Sequence, residues 1–351
     1  MPIDAPVITA LIPTYQRPHL LRRAIRSVLD QTYPNLRVSI FDNASGDETA
    51  AVVEEFARED PRVIYHCHAE NIGVSANFTY AMEHVDTPFF SFLADDDFYL
   101  PTFFETAMAG FTEHPDAMCS AGAVVYITES GGVLLVSSLE GYFVPPDGLL
   151  EWVAGKYPSI TGFVFRSELN ERVGTMDTAI LHADYDYLLR VLPRFPHVLS
   201  ATPCMVVVYH DQQSTKRAGI DVRLRTYRHL QGRLQNIDAL PANIRGRMED
   251  DLYTTFVNSV FTTGLHALCD KDFALAHDAV AALRDPFGMK RKATMLALVT
   301  TACQKSTAIR RFLCLLRTLA LKSSRYLRAR KYRPMESELK DLVSAMETSR
   351  A

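Results

Sequence analysis

Seven short runs rich in β-branched and aromatic residues, at 6–12, 36–41, 62–67, 89–94, 117–127, 161–165 and 203–209, punctuate the first 215 residues. Longer amphipathic stretches separate them. Such alternation buries both faces of its strands only when helices cover a largely parallel sheet, so it predicts an α/β, βαβ-built fold. The first helix is legible: Pro18 sits in its first turn, and Leu20, Leu21, Ala24, Ile25, Val28 and Leu29 recur at helical spacing. Near residue 215 the strand-like runs stop. Helices are expected at 220–237, 244–267, 271–284, 293–330 with a break, and 335–348, which divides the chain into an α/β domain, 1–215, and an all-helical domain, 216–351.

Length and composition agree with two soluble domains: 351 residues, 48% hydrophobic and 22% charged. No apolar run reaches the roughly 18–20 residues of a membrane-spanning helix, and VITALI at 7–12 is cut off by Pro13 before it can serve as a signal peptide. Six cysteines without a CxxC pair argue against a zinc or disulfide framework and for a reducing cytoplasm. The net charge of −4 conceals an asymmetry, because 290–333 holds 13 Lys or Arg and no Asp or Glu. There Leu296, Val299, Leu313, Leu316, Leu319 and Ala320 interleave with Arg310, Arg311, Arg317, Lys322 and Arg325. That pattern fits an amphipathic basic helix pair on an anionic membrane, or a solvated face balancing the acidic remainder. Nucleic acid is not an expected partner, since the overall charge is negative and no recognition motif is present.

Ligands of an open parallel sheet bind beyond the carboxyl ends of its strands, which directs attention to the polar residues following each run. After the first come Pro13, Thr14, Tyr15, Gln16 and Arg17; after the second, Asp42 to Asp47; after the fourth, Asp95, Asp96 and Asp97. Three adjacent carboxylates repel one another. They suit either a hard divalent cation or a solvated turn with Asp97 capping the next helix. On strand alternation Asp95 and Asp97 would point the same way and hold Mg²⁺ or Mn²⁺ together. Asp42 ends a buried strand, where a carboxylate accepts hydrogen bonds from a base or ribose. Ser45 and Glu48 have the spacing of a capping box. His66 and His68 read as structural, whereas His210, at the end of the run CMVVVY, is a candidate ligand.

The segments IPTYQRPHLLRRAIRSVLDQTYPNLRVSIFDNASGDET, ENIGVSANF at 70–78 and FLADDDFYLP at 92–101 resemble the family 2 glycosyltransferases of GT-A fold over residues 5–215. The resemblance implies a GT-A, Rossmann-like, mostly parallel sheet and inverting transfer of a sugar from a nucleotide diphospho-sugar. It places Asp95, Asp96 and Asp97 at the family's DXD motif, binding donor and metal. Pro13, Tyr15 and Asp42 would contact base and ribose together with Thr14 and Arg17, and Asn71 and Asn77 would line the donor pocket. His210 matches a histidine that meets metal or diphosphate in some members.

The catalytic base of that family lies in an ED pair opening a later helix. Here the stretch is His182-Ala183-Asp184-Tyr185-Asp186, with Ala183 in place of the usual Glu, so Asp184 is favoured and Asp186 remains the alternative. The expected enzyme is non-processive, because the Gln-x-x-Arg-Trp segment of polymer synthases is absent and Trp152 is the sole tryptophan. UDP is the default base, and the acceptor a surface glycan or lipid-linked saccharide. The helical domain is expected to serve acceptor, membrane-surface or homo-oligomer contacts, at the cytoplasmic side of a membrane. A metal-dependent nucleotidyltransferase and a catalytically silent nucleotide-sugar-binding protein are the rival readings.

Overall fold

The computed structural model describes residues 5–137, 139–210, 218–237 and 240–319. They fall into two compact units, 5–179 with 183–210, and 180–182 with 218–319.

The first unit opens with strand β1 (Ile8–Thr14), helix α1 (Pro18–Leu29), β2 (Leu36–Asp42), α2 (Thr49–Glu59), β3 (Val63–Cys67), α3 (Val74–Glu83) and β4 (Phe89–Phe92). These strands pair in parallel in the order β3-β2-β1-β4. The chain therefore reverses its direction of winding between β1 and β4, and a crevice forms beyond their carboxyl ends. Helix α1 buries Leu21, Ala24, Ile25 and Val28, and the guanidinium groups of Arg22 and Arg26 lie over the ring of Phe56 on α2. Aliphatic stems thus seal the helix layer while charges reach water.

The remainder of the unit is β5 (Phe98–Tyr99), α4 (Phe103–Glu113), β6 (Cys119–Thr128), β7 (Val133–Val136), β8 (Gly141–Phe143), α5 (Leu149–Val153), β9 (Phe163–Arg166), α6 (Glu168–Val173), α7 (Ala183–Val191) and β10 (His197–Tyr209). They extend the sheet as β4-β9-β6-β10-β5, with β7 on β6 and β8 on β10. Only β6–β10 is parallel here; β9 runs antiparallel to both neighbours. The mostly parallel α/β sheet expected from the strand–helix alternation is present, with an antiparallel strand inserted at its centre. Phe90, Phe92, Phe163 and Phe165 form the buried aromatic seam of that insertion.

Three strands escape the sequence pattern. β5, β7 and β8 are two to four residues long, too short for period-two alternation to register. β10 also begins at His197 rather than 203, because Ser200, Thr202 and Pro203 interrupt its apolar run. Its register against β6 shifts on either side of Pro203, which accommodates the proline as an irregularity.

The second unit contains α8 (Ile220–Gln235), α9 (Ala242–Cys269), α10 (Phe273–Arg284) and α11 (Lys290–Lys305), followed by a helical run at 307–319. The break expected within 293–330 is Ser306. The helix expected at 335–348 lies outside the described residues. Met248, Leu252, Val260, Leu283 and Leu296 are buried between these helices. Asp272 caps α10 by accepting from the Leu275 amide at 2.9 Å. No described helix is long and apolar enough to cross a membrane.

The β6–β10 irregularity supplies a test of packing. A Cβ on Gly122 would sit 2.2 Å from the Cys204 sulfur and 3.2 Å from the Thr202 carbonyl oxygen. Gly122→Ala is expected to cost about 1–3 kcal/mol by overpacking, read as a lower urea midpoint; an unchanged midpoint would show that the strands separate freely.

Candidate functional site

The carboxyl ends of β1, β2 and β4 bring Thr14, Asp42 and the 95–97 triplet to one sheet edge, as adjacent strands must. Strand β4 stops at Phe92, and the triplet occupies a turn in which the Asp97 amide donates to the Ala94 carbonyl at 3.1 Å. Strand alternation accordingly does not govern its side chains, which diverge. Asp95 accepts from the Thr14 hydroxyl at 2.8 Å and from Arg17 Nη1 at 3.1 Å. The same Arg17 nitrogen donates to Asp96 Oδ2 at 2.8 Å, and His210 Nε2 lies 2.7 Å from that oxygen. Asp97 instead turns into the sheet, where its Oδ1 accepts the Val208 amide at 2.9 Å. It does not cap the next helix, since β5 intervenes and Thr102 precedes α4.

Burial and mutual repulsion charge this corner. Desolvation, reinforced by Asp96, pushes Asp95 up to about 6 against the opposing pull of Arg17 and Thr14. Asp97 is likewise raised well above an ordinary aspartate, first by burial and then by Asp96. Arg23, unremarked in the sequence, donates to the Asp96 carbonyl and lies 4.8 Å over the Phe98 ring, bracing the turn from α1.

Asp42 is 2% exposed and doubly engaged. Oδ1 accepts from the Ser45 amide and hydroxyl at 3.0 and 2.5 Å, and Oδ2 accepts from the Tyr65 hydroxyl at 2.6 Å. Burial and the Asp42 carboxylate hold that phenol well above its ordinary value, so it remains a donor. Ser45 also accepts from the Gln16 amide at 2.8 Å, which joins the loops after β1 and β2. The expected capping box is therefore not formed: Ser45 is committed to Asp42, and Asp47 accepts the Thr49 amide at 2.9 Å instead.

Pro13 is buried in β1, and Tyr15, just beyond it, is exposed. Asn71 accepts from Asn43 at 2.9 Å and from the Gly73 amide at 2.9 Å. Asn77 donates to the Phe41 carbonyl at 2.8 Å and lies 2.9 Å from His68 Nε2. Both amides thus order the 68–77 segment. Asn43, among the strand-end residues but given no role by the sequence, anchors it further by accepting the Ile72 amide at 2.8 Å. His66 stacks on Tyr80 with ring centroids 4.8 Å apart.

The two acidic candidates of α7 separate sharply. Asp186 is fully buried and accepts from Arg190 Nε at 2.9 Å. Arg190 in turn donates to the carbonyls of Val173, Gly174 and Thr175, satisfying the end of α6. Asp184, two residues earlier, is exposed. Helix α7 is held to the sheet by Tyr187, whose ring meets Phe165 of β9, the strand beside β4, edge-on at 5.5 Å.

Among the described residues no group of three or more His, Cys, Asp or Glu side chains is arranged to hold a metal ion. The donor types nevertheless suit one, because carboxylate oxygens and an imidazole match Mg²⁺ or Mn²⁺. Asp95, Asp96 and His210 offer those donor types, with Asp97 of the expected set turned to the Val208 amide, but each is already engaged by Arg17 or by another of the three.

Residues 9–174 match the family model described as "Glycosyl transferase family 2". A curated relative from Campylobacter jejuni, "GalNAc(5)-diNAcBac-PP-undecaprenol beta-1,3-glucosyltransferase", is 30% identical over 104 residues, covering 29% of this chain and 34% of its own. Two other curated relatives are spanned over 36% and 18% of their length, so the chain matches only a part of each. Among solved structures, S. aureus TarS 1–349 in complex with UDP-GlcNAc has a TM-score of 0.61 at 16% identity, covering 85% of this chain and 91% of that one. "Mannosyltransferase PcManGT from Pyrobaculum calidifontis in complex with GDP-Man and Mn2+" has a TM-score of 0.50 at 18% identity, covering 86% and 90%. Both structures share the fold.

Two stability measurements probe the site. Asp186→Ala strands Arg190 without its ion-pair partner and is expected to cost about 3–5 kcal/mol, whereas Asp184→Ala is expected to leave the unfolding midpoint almost unchanged; equal losses would contradict the division of roles. An ordinary aspartate titrates near 3.8, so native Asp95 at about 6 binds its proton more tightly than the unfolded chain does. Its contribution to stability is full below pH about 4 and is lost as pH rises through about 6. Relative to Asp95→Asn, the native chain is expected to lose about 2–3 kcal/mol between these limits, and parallel pH profiles of urea unfolding would refute it.

Proposed function

We propose that the chain, whose residues 9–174 match the family model of glycosyl transferase family 2, moves one sugar, with inversion, from a nucleotide diphospho-sugar to an acceptor hydroxyl. The observation that carries this reading is the corner at the β1–β4 switch point, where Thr14, Arg17 and His210 converge on Asp95 and Asp96. Strand ends of this kind receive nucleotides. The exposed Tyr15 offers a face to the base, and the buried Asp42, positioned by Ser45 and Tyr65, offers a carboxylate acceptor beside it. Arg17 answers the diphosphate as a bidentate-capable cation. UDP is the favoured donor nucleotide, in keeping with the UDP-GlcNAc held by the TarS neighbour.

Asp184 acts as general base. It is the acidic residue of α7 that remains solvent-accessible, Asp186 being committed to Arg190. An acceptor hydroxyl is a poor nucleophile until its proton is taken during attack at the anomeric carbon, and a single displacement inverts that centre. Departure of the nucleotide builds negative charge on the diphosphate. Arg17 lies where that charge would develop, and a divalent cation held by Asp95, Asp96 and His210 would supply Lewis-acid stabilisation there.

The acceptor is a surface glycan or a lipid-linked saccharide, the class named in the Campylobacter jejuni relative. Addition of single residues rather than a polymer accords with the absence of a Gln-x-x-Arg-Trp segment. The cytoplasm suits the six cysteines, all free.

Nucleoside diphosphate release from a panel of donors, with and without Mn²⁺, tests the reading. Asp184→Asn is expected to lower kcat by about 10²–10⁴-fold with little change in donor KM, while Asp95→Ala raises donor KM as well. Release of pyrophosphate instead would identify a nucleotidyltransferase, and full turnover by Asp184→Asn would remove that residue from the chemistry.

A further inference from the structure

Of the sixteen large hydrophobic side chains exposed on the described chain, seven fall within its last twenty-five residues: Met295, Leu298, Ile309, Phe312, Leu315, Leu316 and Leu319. Their placement is systematic. In the helical run 307–319, Ile309, Phe312, Leu316 and Leu319 follow one another at three- and four-residue spacing, and so share one face. Phe312 is 60% exposed and Leu315 55%. The opposite side carries Arg310, which donates to the Cys269 carbonyl, and Arg317, which is also partly covered. The helix therefore turns its apolar arc outward and part of its charge toward the bundle, the reverse of an ordinary surface helix. Helix α11 behaves similarly at Leu298, which is 67% exposed, although it buries Leu296.

The same two helices carry exposed cations. Lys290, Arg291, Lys305 and Arg311 are exposed, and no Asp or Glu occurs anywhere between 290 and 333. We propose that α11 and the 307–319 helix lie on an anionic lipid bilayer, with Phe312, Leu315, Leu316 and Leu319 entering the headgroup–acyl boundary and the cations meeting lipid phosphates.

Charge and polarity together select this partner. A nucleic acid would satisfy the cations but could not bury a stripe of Leu, Ile and Phe. A second copy of the same face would cover the stripe but would oppose two sets of cations across a dry interface. An interfacial position needs no spanning helix, in keeping with the absence of one among the described residues. The proposal rests on the lipid-linked acceptor read above only for its purpose, since binding to a bilayer is measurable without any sugar transfer.

The test is sedimentation of the full-length chain with phosphatidylcholine vesicles, with or without phosphatidylglycerol. Binding is expected on the anionic vesicles alone, weakening as salt is raised. Phe312→Glu/Leu316→Glu should reduce partitioning at least about tenfold, and Lys305→Glu/Arg311→Glu should abolish the preference for phosphatidylglycerol. Far-UV circular dichroism and the urea midpoint report folding of both variants independently. Failure to sediment with anionic vesicles at low salt would overturn the proposal. So would loss of a dimer in Phe312→Glu/Leu316→Glu without vesicle binding, which would assign the face to a second copy. A photo-crosslink from position 312 to residues 320–351 that vesicles leave unchanged would assign it to the chain's own end and would equally overturn the proposal.

Discussion

Three carboxylates in consecutive positions, two of them almost wholly withdrawn from water, are the constraint around which the first unit is arranged. Burial favours their protonation; Asp95 is raised to about 6. The fold answers each group differently. Arg17 spans Asp95 and Asp96, Thr14 and His210 add one contact each, and Asp97 receives a backbone amide from β10. The unit thus holds its carboxylates against Arg17 and His210 at the switch point of its sheet.

Holding those groups in place requires stiff loops, and the loops here are tied by polar bonds instead of packing. Gln16 and Ala44 adopt left-handed backbone conformations one turn past β1 and β2. Ser45 joins the loops by accepting from Gln16 while donating to Asp42. Asn43, Asn71 and Asn77 continue the network to α3. Such a network positions an exposed Tyr15 and a buried Asp42 with little apolar material.

The α/β alternation, the helical second half and the three strand-end motifs were all legible in the residues, because periodicity and strand-end position are local properties. Misreadings arose where a residue had two local uses. Ser45 suited a capping box and Asp97 a helix cap, but Ser45 is taken by Asp42, three residues back, and Asp97 by the Val208 amide, 111 residues away. Arg23, Tyr65 and Asn43 carried no local signal at all, since their partners lie 73, 23 and 29 residues away.

From the amino-acid order alone came the class of fold, the polar residues gathered after the strand ends, and the basic, acid-free stretch at 290–333. These depend on hydrophobic period and on composition, which need no partner in space. Tertiary structure alone decided which oxygen of which aspartate is already occupied, that Asp186 is locked to Arg190 while Asp184 is open, and that the 307–319 helix turns its leucines outward. Hydrogen bonds, burial and exposure belong to pairs of groups brought together by folding, and no single position in a chain carries them.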